Sequence, residues 1–184
     1  SGIEIFRVSY ISSLLIIKLI KMKKILSILL LSLIIFSCSN QQESVAIVKT
    51  DDELTLNAKM LLKSYVNNDF SLWEKLMSDD CEVLFNNMVL DKKSTIEGIK
   101  QDHKLFKFES ISDEYAHTNY LKNGEIWTNH WFVNTLTGKF TGETTAARAH
   151  TDLKWENGKV VRFQVYYDPT LQVNEAAAMS EMSK

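Results

Sequence analysis

Apolar positions recur along this chain at two different periods, and the switches between them mark its elements. Leu54, Ala58, Leu61, Leu62, Tyr65 and Val66 fall at spacings of three and four, one apolar face of a helix. Thr50-Asp51-Asp52-Glu53 precedes them as a capping box, in which Thr50 and Glu53 satisfy each other's exposed N–H groups. Asn67-Asn68-Asp69 closes this helix, and Leu72, Trp73, Leu76 and Met77 set the stripe of a short second one. Ser78-Asp79-Asp80 breaks the pattern, and residues 81–90 read as a first strand. A second capping box, Ser94-Thr95-Ile96-Glu97, opens a third helix with the stripe Ile96, Ile99, His103 and Phe106. That stripe puts His103 on the buried side, flanked by Asp102 and Lys104.

From residue 109 to residue 168 the pattern changes to strands separated by turns. Asn123-Gly124 and Asn157-Gly158 each lie between β-prone runs, where a type I′ turn needs positive φ at both central residues. A third, longer turn spans 137–142. Four consecutive antiparallel strands follow from these signals. Helices on one face of a mostly antiparallel sheet make an α+β domain, and a strongly curved sheet capped by three helices makes a cone with an apolar cavity. Residues 173–184 read as a helix-prone or frayed tail.

The N-terminal part reads separately. Met22-Lys23-Lys24 begins a basic start, followed by an apolar run over 25–36 and then Ser37-Cys38-Ser39-Asn40. This is the build of a secretory signal, too short to span a membrane. Residues 1–21 precede what looks like a complete signal and begin with Ser; they are expected to be an upstream extension foreign to the natural protein, the other reading being a second hydrophobic segment. Residues 38–50 lack a period and read as a tether.

The full chain of 184 residues has a formal net charge of −2. Without the five basic residues and one acidic residue of 1–37, the remainder holds 16 basic and 22 acidic residues, a net of −6. Such a domain is a poor nucleic-acid binder, which needs clustered Lys and Arg. Of two cysteines only Cys81 lies beyond the signal and its border, in a strand-like run where it reads as a small buried hydrophobe.

Two resemblances add to this. Residues 22–38 resemble a bacterial lipoprotein signal, with Ile35, Phe36 and Ser37 in the three positions before the cysteine. The resemblance implies that Cys38 becomes the lipidated first residue of a protein anchored at the cell envelope; the other reading is an ordinary signal peptide. Residues 51–172 resemble the nuclear transport factor 2-like (NTF2-like) superfamily and, within it, the SnoaL-like group. The residues that carry this are Trp155-Glu156-Asn157-Gly158-Lys159-Val160-Val161 through Tyr166-Tyr167-Asp168, with Ser78-Asp79-Asp80 as a second match. That superfamily includes polyketide cyclases, ketosteroid isomerases, dehydratases and epoxide hydrolases, with many members of no known reaction. The resemblance implies a pocket more than a chemistry, and a homodimer through the outer sheet face. Family enzymes place acid-base groups on the inner face of the last strands. Here the strand before the last offers Arg148 and His150, while the acidic position of the last strand falls on Val165 or Gln164, leaving Asp168 at the strand's end.

Hairpin registers decide which residues meet. A two-residue turn at Asn157-Gly158 sets His150 opposite Val165 and Arg148 opposite Tyr167. One at Asn123-Gly124 sets Tyr120 opposite Trp127 and His117 opposite His130. If Leu136 opposes Glu143 across the middle turn, one face holds Trp127, Asn129, Trp131, Arg148, His150, Val165 and Tyr167, a mixture of aromatic walls and polar groups suited to a small-molecule pocket. A one-residue slip instead pairs His130 with Arg148. Within the first register, His150, Arg148 and Asp168 are the catalytic candidates, and His103, Trp127, Asn129, Trp131, Val165 and Tyr167 the pocket candidates. His150 is equally readable as a hydrogen-bonded wall residue and Arg148 as a partner of Asp152. His117 and His130 lack a third ligand, so neither a metal nor any other cofactor is expected. Two functions remain: a lipid-anchored binding domain for a small apolar ligand or a protein partner, or a cofactor-free isomerase, cyclase, dehydratase or hydrolase using general acid-base chemistry.

Overall fold

The structure, a computed structural model, describes residues 45–183. The upstream extension, the signal segment and Cys38 lie outside them. The chain runs through β1 (Ala46–Lys49), α1 (Glu53–Val66), α2 (Ser71–Leu76), β2 (Met77–Phe85), β3 (Met88–Leu90), α3 (Lys92–Leu105), β4 (Phe106–Leu121), β5 (Ile126–Gly138), β6 (Thr144–Glu156), β7 (Lys159–Tyr167) and α4 (Thr170–Met182). Among the described residues, seven strands form one sheet in the order β1-β4-β5-β6-β7-β2-β3. The expected α+β architecture is present, with the four-strand meander β4 to β7 at its centre. Every neighbouring pair is antiparallel except β2 and β7.

Several local expectations are corrected. Both capping boxes give way to aspartates. Asp52 caps α1 by accepting from the Thr55 N–H at 3.0 Å, and Asp91 caps α3 by accepting from Ser94 N–H at 2.7 Å. A carboxylate there takes an orphan N–H and also meets the positive end of the helix dipole, so it outcompetes a nearby hydroxyl. The strand expected over 81–90 is two, folded at Asn86-Asn87 with Asn86 at φ 51°, and β2 begins earlier, at Met77. The end of the supposed tether is β1, paired with β4. The frayed tail is the helix α4, tied down by Glu175. The Glu175 carboxylate is fully buried and accepts from the backbone N–H groups of Phe140 and Thr141 and from the Thr141 hydroxyl. Gly138 permits this approach: a Cβ there would collide with Glu175 Oε2.

The registers also shift. Leu121 pairs with Glu125, so the first turn is a three-residue loop with only Gly124 at positive φ. His117 therefore faces Asn129, and His130 faces Ala116, not each other. Asn157 and Gly158 both have positive φ, as a two-residue type I′ turn requires. Yet Val161 is an extra residue on β7, a bulge between the pairs Trp155–Val160 and Lys154–Arg162. Beyond it His150 faces Tyr166, and Val165 faces Thr151. In the middle hairpin Leu136 pairs with Thr145, two residues from expectation, which moves the partners but keeps the faces.

The described residues form one compact unit. Its core lies between the concave sheet face and the helices, built on Leu61, Trp73, Val83, Leu153 and Phe163. Trp73 meets Phe163 edge to face at 5.3 Å, and its indole N–H donates to the Leu61 carbonyl, so a buried ring is fully satisfied. A hydroxyl chain fixes α1 to the sheet: Thr55 to Thr118 at 2.7 Å, Thr118 to Thr128 at 2.7 Å, and the Trp155 indole to Thr128 at 2.9 Å, all buried.

Candidate functional site

Two bulges on β4, at its register shifts after Phe108 and after Ser112, bend the sheet around the helices. Alternate residues of β5, β6 and β7 then point inward: His130, Phe132, Asn134 and Leu136, opposite Thr151, Ala149 and Ala147, with Phe163, Val165 and Tyr167 beyond. Helix α1 closes the other side with Ala58, Leu61, Leu62 and Tyr65, and α3 adds Ile99 and Asp102. Between them lies a cavity of about 120 Å³, somewhat smaller than a site of ~150 Å³ that accepts one benzene ring. Gln172 of α4 stands at its wall.

Few polar groups enter this space. The Tyr65 hydroxyl donates to Asp102 Oδ2 at 2.9 Å. Burial pushes the Asp102 carboxyl up to about 6, against the pull of the Tyr65 hydrogen bond, so it titrates close to neutrality. Burial, with the nearby Asp102 charge, raises the Tyr65 phenol well above its ordinary value and Tyr167 in the same direction. Both phenols stay protonated at neutral pH. His130 is fully buried and lies 3.1 Å from Glu114; burial lowers its pKa, and the carboxylate opposes that shift. The Asn134 amide oxygen is buried with no donor among the described residues.

Against this geometry the sequence-derived candidates separate. Val165 and Tyr167 line the cavity. His103 does not: its Nε2 bonds the Tyr65 carbonyl at 2.6 Å, and its ring packs among Tyr65, Phe70 and Phe108. Trp127, Asn129, Trp131 and His150 stand on the opposite, convex face, a correction that follows from which face the helices cover. There the Trp131 and His150 rings stack at 4.4 Å and 10°, with Tyr166 beyond at 5.8 Å from His150. His150 Nε2 comes within 2.9 Å of Asp152 but is not aligned for a hydrogen bond. Arg148 reaches the cavity rim, yet its guanidinium turns outward to Asp113 at 3.8 Å. Asp168 does not line the cavity; its carboxylate accepts from the Thr170 N–H and hydroxyl at the start of α4, which holds its pKa down. Among the described residues no group of His, Cys, Asp and Glu is arranged to hold a metal ion.

The sequence reading missed Asp102. The signal was present: Thr95, Ile99, Asp102 and Phe106 are spaced four, three and four, as consistent with the buried stripe of α3 as the series through His103.

No family model and no curated protein sequence matches the chain. Solved structures match it by shape. A candidate isomerase from Bacillus subtilis superposes with a TM-score of 0.53 and 14% identity, covering 67% of this chain and 94% of its own. A candidate isomerase from Rhodopseudomonas palustris gives 0.53 and 12%, covering 70% and 98%. A candidate polyketide cyclase from Pseudomonas putida gives 0.51 and 13%, covering 65% and 94%. At such identities the likeness shows the fold alone, and with the curved sheet and its helices it identifies the fold of this chain as the α+β fold of NTF2-like, SnoaL-like proteins.

Proposed function

We propose that this chain is a lipid-anchored protein of a bacterial cell envelope whose NTF2-like domain holds a small, mainly apolar ligand between its sheet and helices. The observation that carries the ligand reading is the cavity itself: apolar walls with one half-buried acid–phenol pair, Asp102 and Tyr65, to orient a polar group. The envelope address rests on the signal at residues 22–38 and on Cys38, which lie outside the described residues. The convex face, with its row of Tyr115, Trp131, His150 and Tyr166, is the surface proposed for a second copy or another protein. The experiment is solution NMR of residues 44–184 with a series of small neutral compounds, from short branched chains up to a single ring. Contacts from the ligand to the Val165 methyls and the Tyr167 ring support the reading; absence of any contact at those residues across the series refutes it.

One observation favours a second reading, a cofactor-free isomerase, cyclase, dehydratase or hydrolase. An acid that titrates near 6 inside an apolar cavity is placed to move a proton at neutral pH. In this reading Asp102 takes the role first sought in His150 and Arg148. Turnover that Asp102→Asn abolishes while ligand binding persists distinguishes it from simple binding.

A further inference from the structure

We propose that α4 is a lid on the cavity, hinged at Asp168-Pro169 and latched by one carboxylate, Glu175, and that small molecules pass when the latch releases. This rests on the reading of the cavity as a small-molecule site and adds how that site is entered.

A surface helix is normally held by an apolar stripe that faces the core. In α4 the one fully buried side chain is Glu175, while Val173, Met179 and Met182 lie exposed. Its hold on the domain is therefore polar and concentrated at one residue. The Glu175 carboxylate accepts from the Phe140 and Thr141 N–H groups and from the Thr141 hydroxyl. The turn that receives it is fixed by bonds of its own. Gly138 N–H donates to the Glu143 carbonyl, and Gly142 N–H donates to the Gly138 carbonyl. Lys139 ties the turn to the end of α3, its N–H donating to the Leu105 carbonyl at 2.8 Å and its ammonium to the His103 carbonyl at 2.6 Å. Release of Glu175 thus frees the helix and leaves the turn in place, which makes α4 a unit that opens by itself.

The chain is also anchored on the other side of the hinge. Asn86 brackets Tyr167, accepting from its N–H at 3.3 Å and donating to its carbonyl at 3.0 Å. Beyond that point the Asp168 carboxylate bonds Thr170 of its own segment, so a swing starts at Asp168-Pro169. Between hinge and latch stands Gln172, three residues before Glu175 and therefore on the same helix face. Gln172 is the α4 residue in the cavity wall. The latch turn joins β5 to β6, whose inward Leu136 and Ala147 line the same cavity. With Glu175 seated, Gln172 completes the wall; with Glu175 released, the wall opens at Gln172.

The test reads access to the cavity and needs no ligand. Thr151, a buried wall residue, is replaced by Cys in residues 44–184. The protein is treated with methyl methanethiosulfonate at neutral pH, and mass spectrometry follows each thiol. Native Cys81 is the internal reference: it is buried in the core and is not a wall residue, so its modification reports opening of the whole fold. Labelling through a lid scales with the open fraction. Glu175→Gln replaces charge-assisted bonds by neutral ones and should speed modification of Thr151→Cys about ten-fold or more, with Cys81 unchanged. Gly138→Ala attacks the latch from the turn side and should act in the same direction. A wall-thiol rate left unchanged by either variant overturns the lid. An equal rise at Cys81 overturns it as well, since Glu175 would then act on the stability of the whole fold. Ala147→Cys, at a second wall position, carries the comparison if Thr151→Cys fails to fold. Ligand contacts at Val165 and Tyr167 are a separate measurement, so the lid and the ligand reading fail independently.

Discussion

Replacing Asp102 by Asn should stabilise the domain at neutral pH and leave it unchanged in acid. Burial raises the carboxyl to about 6 in the folded protein, from an ordinary value near 3.9 when unfolded. A raised pKa means that the folded state holds this proton more tightly than the unfolded state does. Between about pH 4 and about pH 6 the folded state therefore binds more protons, and its stability falls as pH rises. Two units at about 1.4 kcal/mol each set the ionisation penalty at roughly 3 kcal/mol once pH exceeds 6. Asparagine has no charge to bury, and its amide oxygen still accepts from the Tyr65 hydroxyl. Other carboxylates make the absolute profile pH-dependent, so the readout is the difference between wild type and variant. Urea unfolding of both proteins across this range should show a gap near zero at the acid end that opens to about 3 kcal/mol at neutrality, or roughly 10 °C in Tm. Parallel profiles, or a variant less stable at neutral pH, would refute the claim that Asp102 sits ionised and uncompensated in the cavity.

Gly138→Ala should push Glu175 off the turn it caps, costing about 1–3 kcal/mol by overpacking, and hydrogen exchange should then report faster opening of α4; unchanged protection over 170–182 would count against the clasp. Thr128→Val removes the middle of the chain joining Thr118 to Trp155 and should cost about 1–3 kcal/mol in denaturant unfolding, because the indole N–H stays buried without a partner. Trp131→Arg on the convex face should convert an assembled domain to a monomer in sedimentation; a wild-type domain that is monomeric at every concentration removes that face as a self-association surface. Cys38→Ala should release the full-length protein from membranes in a fractionated bacterium, and unchanged membrane association would remove the lipid anchor.

Much of this fold is local and was readable as such. The stripe from Leu54 to Val66 fixes α1, and the Asn157-Gly158 pair fixes a type I′ turn, because each depends on neighbours within a few positions. The alternation through β5 correctly separates Trp127, Asn129 and Trp131 from His130 and Phe132. What that alternation cannot tell is which set faces the helices. The answer comes from α1, whose Thr55 bonds Thr118 on the concave side, and it places the cavity with His130 and sends Trp131 and His150 outward. Register was the second limit. A strand's side chains alternate with a period of two, so the one extra residue at Val161 moves Val165 and Tyr167 to the face opposite His150. The bulge has no distinctive residue to announce it. The parallel contact of β2 with β7 joins segments far apart in the chain, and no local pattern encodes it. Asp102 became visible as a site residue only when α3 docked and Tyr65 arrived from α1. The sequence alone determined the elements, the hairpins and the fold class, since local sterics and hydrophobic period suffice for those. The tertiary structure decided the face, the register beyond the bulge and the acid–phenol pair of Asp102 and Tyr65, since each depends on contacts between segments distant along the chain.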